Sequence, residues 1–151
     1  MSLTTISSEL IVPLVVPMGK LLLAVACASM IGWEREKHEK AAGLRTHILI
    51  CMGACLLTIV GMKMTPSESP GDLLRIMQGV VTGVGFVGAG AIIRQEGSVK
   101  GLTTAAGVWV IAAIGLCIGA GEYMIAIFST FLTFLVIRYI GYIDHFFRKN
   151  D

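Results

Sequence analysis

Five continuous apolar blocks, each close to the length that crosses a bilayer, constrain this chain more than any other feature of it. A helix of about 20 mostly apolar residues covers roughly 30 Å of hydrocarbon. The blocks run from about Ile11 to Gly32, Thr46 to Met62, Leu73 to Ile93, Leu102 to Gly119 and Tyr123 to Ile143. None of them alternates apolar with polar residues, which argues against a transmembrane β-barrel. Backbone polar groups in lipid must then be satisfied within each segment, so the blocks are helices. The expected fold class is an all-α membrane protein with about five transmembrane helices. The link Gly119-Ala120-Gly121 is so short that spans four and five form an antiparallel hairpin, with a re-entrant pair as the alternative.

Composition agrees. Of 151 residues, 55% are hydrophobic types and 15% are charged, which leaves little polar surface for a soluble domain. The net charge of +2 is spread through loops and offers no basic run suited to nucleic acid. Cys27, Cys51, Cys55 and Cys117 all fall in apolar blocks, where small reduced side chains are expected. No Lys or Arg precedes the first block, and Pro13 and Pro17 interrupt its start, so it reads as a retained span and not a cleaved signal. The expected organisation is a short extracytoplasmic N-terminus (1–9) and a polytopic membrane domain (10–147), with no soluble C-terminal domain.

Lys and Arg set the expected orientation. With helix ends numbered alternately, one side carries Arg35, Lys37, Lys40, Arg45, Arg94, Lys100, Arg138, Arg148 and Lys149. The other carries Lys63, Arg75 and a snorkelling Lys20. The richer side is expected to be cytoplasmic, which puts the N-terminus outside, the C-terminus inside and the loop Met64–Gly71 outside.

Glycine shapes the packing. Span three holds Gly79, Gly83, Gly85, Gly88 and Gly90. At 100° per residue, Gly79, Gly83 and Gly90 share an arc of about 40°, with Gly85 and Gly88 roughly opposite. Small residues let membrane helices approach closely. Span three is therefore expected at the centre of the bundle, its small face against the stripe Ala105, Ala112 and Gly119 of span four. A glycine-lined pathway or a dimer interface is the alternative use of these faces. A homo-oligomer, a dimer first, is expected.

Polar residues gather at the ends of four spans on the expected cytoplasmic side. Glu34 and Arg35 close span one, Arg45 and Thr46 open span two, Arg94 follows span three, and Thr103 and Thr104 open span four. A carboxylate near hydrocarbon needs a cation or a polar cavity. A Glu34–Arg45 pair, structural or functional, is the expected solution. Thr103 and Thr104 suit a helix cap, or the helix start could hold an anion. His38, His47 and His145 are read as surface residues. On the outer side Asp72 is a plausible cap for span three and a partner for Arg75. A magnesium ligand would have Glu68 and Asp72 alone to draw on, which is thin for an ion that takes several oxygens. No cofactor is expected. With no Walker loop, nucleophile motif or metal-spaced His pair, a non-enzymatic protein is expected.

Four stretches carry a resemblance: Gly32-Trp33-Glu34-Arg35, Gly43-Leu44-Arg45-Thr46-His47, Gly83-Val84-Gly85-Phe86-Val87-Gly88-Ala89-Gly90 with Arg94, and Gly101-Leu102-Thr103-Thr104-Ala105-Ala106 with Trp109. In order and spacing, across Leu21 to Tyr123, the chain resembles the MgtC/SapB family. The resemblance implies a multi-pass protein of a bacterial inner membrane, linked to growth in low magnesium and to virulence. It implies regulation of other membrane machinery, with direct transport of magnesium as the alternative. The family's polar motif positions map onto Glu34, Arg35, Arg45, Thr46, Arg94, Thr103 and Thr104. Longer members carry a soluble C-terminal domain, and the outer motif Asp-Pro-x-Arg-Ile reads Asp72-Leu73-Leu74-Arg75-Ile76 here.

Overall fold

The computed structural model describes residues 3–64, 70–95 and 98–140, with the side chains of 3–12, 70 and 93–95 outside the description. The helices are α1 (Leu3–Lys37), α2 (Leu44–Met64), α3 (Pro70–Gly90), α4 (Leu102–Ala120) and α5 (Tyr123–Leu135), the last continued by a π-helical turn, Val136–Ile140. Among the described residues, five helices are long and apolar enough to cross a membrane: Pro13–Lys37, Leu44–Met64, Gly71–Gly90, Leu102–Ala120 and Tyr123–Ile140. The chain is a multi-pass membrane protein. The expected end of span five at Ile143 lies outside the described residues.

Several boundaries differ from the sequence reading, among them that of α1, which runs on to Lys37 past the expected Gly32. Span three ends at Gly90, and Ile93 opens a small antiparallel hairpin of β1 (Ile93–Gln95) and β2 (Ser98–Lys100), with Arg94 opposite Val99. The chain re-enters α4 through Gly101, whose φ of 92° is the left-handed region that suits glycine. A Cβ there would collide with the Ala91 carbonyl oxygen, so glycine is also needed for space. Gly101 is the N-cap of α4 and no side chain caps it, so neither Thr103 nor Thr104 has that role. Asp72 likewise lies inside the first turn of α3, because Pro70 begins the helix.

The centre of the bundle is α4, not α3. In α4, 56% of the apolar window is buried, against 6% in α3. The reason is side-chain distribution. A helix apolar on every side can be surrounded, and Ile111, Ile114 and Ile118 of α4 pack with Ala24, Ala28 and Ile31 of α1, Cys51 and Cys55 of α2, and Ala126 of α5. The small stripe of α4 meets α2 most closely. A Cβ on Gly119 would stand 2.7 Å from the Cys55 carbonyl oxygen, and one on Gly115 would collide with that of Cys51.

Against α4, α3 presents valines, not glycines. Met77, Val80, Val81 and Val84 pack on Ala54, Ala112 and Leu116. Gly88 approaches Ala105, with Cβ positions 3.7 Å apart, but nothing among the described residues lies within 4 Å of a Cβ on Gly79, Gly83, Gly85 or Gly90.

A candidate polar site at one end of the bundle

The last turn of α1, the first turns of α2 and α4, and the π-helical turn after α5 meet at one end of the bundle. Glu34, 6% exposed, is held there by Arg138, whose Nη1 donates to Glu34 Oε2 at 3.0 Å. His38 Nδ1 lies 3.5 Å from the other carboxylate oxygen and 2.8 Å from the Glu34 backbone oxygen. Next to Glu34 in sequence, Arg35 is 7% exposed, and its Nη2 donates to Thr104 Oγ1 at 3.3 Å. The two residues thus tie α1 to two different helices.

Arg45 has no part in this network. It is exposed and forms no ion pair among the described residues. The cause is helical phase: Arg45 and His47 are two residues apart, roughly 200° around α2, and His47 is the one that faces inward. Thr46 is half-buried and Thr103 exposed. The backbone of Arg94 lies in β1 and its side chain is outside the described residues. Asp72 and Arg75 approach to 3.8 Å with both side chains largely exposed, a pair of little energetic weight. Glu68 lies outside the described residues.

His47 corrects the surface reading, for it is fully buried. Its Nδ1 donates to the Gly43 carbonyl at 2.8 Å, which leaves Nε2 as an acceptor. Glycines make the room. A Cβ on Gly32 of α1 would stand 3.1 Å from His47 Cβ, and one on Gly107 of α4 would stand 3.8 Å from Nε2. The start of α2 is also fixed from α1, because Glu36 Oε2 accepts the Leu44 N–H at 2.8 Å. This supplies one acceptor for the free N–H groups of a helix start.

Two buried atoms have no partner among the described residues, Arg35 Nε and His47 Nε2. One is a donor and the other an acceptor, so the interior of the site has unused hydrogen-bonding capacity on both sides. Among the described residues, the ion-paired interior of the site holds one carboxylate, Glu34, and the guanidinium groups of Arg35 and Arg138. With Glu34 already neutralised by Arg138, the site offers little to a divalent cation, which needs several free oxygens. Among the described residues no three His, Cys, Asp or Glu side chains gather as a metal set.

The sequence reading missed His47 and Arg138 as site residues. Arg138 carries the one signal that could have found it: an arginine within an apolar span needs a partner. It sits in the π-helical turn, where the extra residue re-aims the side chains that follow, a geometry frequent at functional sites.

Residues 21–146 match the family model described as the MgtC family. The chain is 46% identical over 123 residues to a protein of Escherichia coli K12 named putative magnesium transporter YhiD, covering 78% of this chain and 57% of that one. It is 40% identical over 112 residues to protein MgtC of Salmonella typhimurium, covering 74% of this chain and 47% of that one. Protein SrpB of Synechococcus elongatus is 37% identical over 134 residues, covering 78% of this chain and 71% of that one. The chain thus spans about half the length of YhiD and MgtC. No solved structure matches.

Proposed function

This chain belongs to the MgtC family, and from that premise we propose that it serves magnesium homeostasis in the inner membrane of a bacterium by regulating other membrane machinery. In this reading it is not an enzyme. The named polar end of the bundle faces the cytoplasm, where a partner protein in the membrane engages it, and magnesium is what the system responds to.

One observation carries the choice of regulation over conduction. Between the two ends of the bundle, the buried polar side chains among the described residues are Thr58 and Thr130, and each hydroxyl donates to a carbonyl of its own helix, Ala54 and Ala126, at 2.8 Å. The rest of the described core there is apolar, which favours a dry interior. The name of the E. coli relative favours the second reading, a magnesium transporter. Uptake of magnesium by liposomes carrying the purified protein tests the two. The expected result is flux no greater than in empty liposomes. Flux above that background, abolished by Glu34→Ala, would sink the regulatory reading.

We further propose that the protein works as a homo-oligomer through α3. Support comes from the groove of about 460 Å³ between α2 and α3, with Gly53, Gly79 and Gly83 along it. Small residues left open to lipid allow a second helix to come close. Gly83→Leu is expected to leave the single chain folded, since nothing among the described residues lies within 4 Å of a Cβ there, and to reduce oligomer size. Light scattering in detergent reads this directly, and an unchanged oligomer would remove α3 as the contact.

A further inference from the structure

At the end of the bundle away from Glu34, a groove of about 310 Å³ opens between α1 and the last turn of α2. Its apolar walls include Val16 and Pro17 on one side and Ile59 and Met62 on the other, and Lys20 and Lys63 line it as well. Two cations on one apolar groove in a membrane-spanning bundle call for a ligand of matching chemistry.

Lys20 is held in place. Its Nζ donates to the Gly119 carbonyl at 2.7 Å and lies 6.0 Å from the centre of the Tyr123 ring. That carbonyl belongs to the last turn of α4, where backbone oxygens lack partners in the helix and the helix dipole is negative. The lysine that looks out of place in the first span therefore secures the end of the central helix. An ammonium has three N–H donors, so capacity remains after the bond to Gly119. Lys63 is exposed in the last turn of α2. Among the described residues neither lysine has a carboxylate within ion-pair distance.

We propose that this groove binds an anionic phospholipid. The phosphate of the headgroup sits between Lys20 and Lys63, and the first part of an acyl chain lies along Val16, Pro17, Ile59 and Met62. The charge excludes cationic ligands, and the apolar walls favour a lipid over a free anion. The site is separate from the Glu34 end and independent of the function proposed above.

Native mass spectrometry of the full chain with equimolar phosphatidylglycerol and phosphatidylcholine of matched acyl chains tests it. Retention of phosphatidylglycerol over phosphatidylcholine is expected. One basic residue near anionic lipid is worth about fivefold in binding, so Lys63→Gln should lower phosphatidylglycerol retention by about that factor and Lys20→Gln/Lys63→Gln by roughly 25-fold. Because Lys20→Gln also removes a helix cap, Lys63→Gln with an unchanged Tm is the decisive variant. Val16→Trp, with both lysines kept, should also weaken retention by filling the groove. Equal retention of the two lipids overturns the proposal, as does an undiminished phosphatidylglycerol preference in the double variant or in Val16→Trp. Displacement of the lipid by millimolar inorganic phosphate would mark a free-anion site and overturn the lipid assignment.

Discussion

Replacing Gly115 or Gly119 with valine is expected to destabilise the bundle severely. These glycines are where the central helix α4 touches α2 backbone to backbone. A Cβ on Gly115 would run into the Cys51 carbonyl oxygen and stand 3.0 Å from Ala54 Cβ. One on Gly119 would stand 2.5 Å from Thr58 Cβ and 2.7 Å from the Cys55 carbonyl oxygen. Overpacking a core with flexible neighbours costs about 1–3 kcal/mol. Here the obstacle is helix backbone, which cannot rotate away, so α2 and α4 must separate along the contact that holds the core together. A loss at the top of that range or beyond is expected. The measurement is thermal unfolding in detergent, with monodispersity by size exclusion. Gly19→Ala in α1 is the control, because nothing among the described residues lies within 4 Å of a Cβ there and its Tm should stay near that of the parent. If the valine variants unfold with the parent Tm, the α2–α4 contact is looser than its geometry.

The second large effect is expected at Glu34. Its carboxylate side chain is 7% exposed and bonded to an Arg138 side chain that is 46% exposed. Removing one partner from a fully buried pair costs about 3–5 kcal/mol, mostly because the other charge is left unpaired. Solvent at Arg138 screens part of that, so about 2 kcal/mol is the expected loss for Glu34→Ala. Arg138→Ala should cost more, since the charge it leaves unpaired, Glu34, is the buried one. Arg45→Ala should cost far less, since Arg45 is exposed and outside the network. A double-mutant cycle with Glu34→Gln and Arg138→Gln isolates the coupling between them. Coupling near zero would mean that the contact holds nothing, and that Glu34 is buried for the sake of a ligand or partner.

The candidate site shows where sequence reasoning stops. Glu34 stood out because a carboxylate at the edge of hydrocarbon needs an explanation, whereas Arg35, free to snorkel toward headgroups, entered as a motif position of the family. Their partners did not follow, since several cations reach the same membrane depth and depth is all that a span assignment supplies. Choosing among them needs the rotation of each helix about its axis. Rotation turned Arg45 outward and His47 inward, and brought Arg138 in from a helix 104 residues away. The placement of α3 failed for a related reason. Glycine marks where a helix can approach another closely, but not which neighbour takes the offer. On α4 the glycines met α2, whereas on α3 most were left open.

The sequence by itself determined the number of spans, their approximate limits and the family, because hydrocarbon imposes length and polarity on every segment regardless of its neighbours. The tertiary structure decided which helix is central, that Lys20 caps α4, and that Glu34 and Arg35 bind different helices. Those outcomes depend on the shape of facing surfaces and on helix phase, which exist once the five segments pack together.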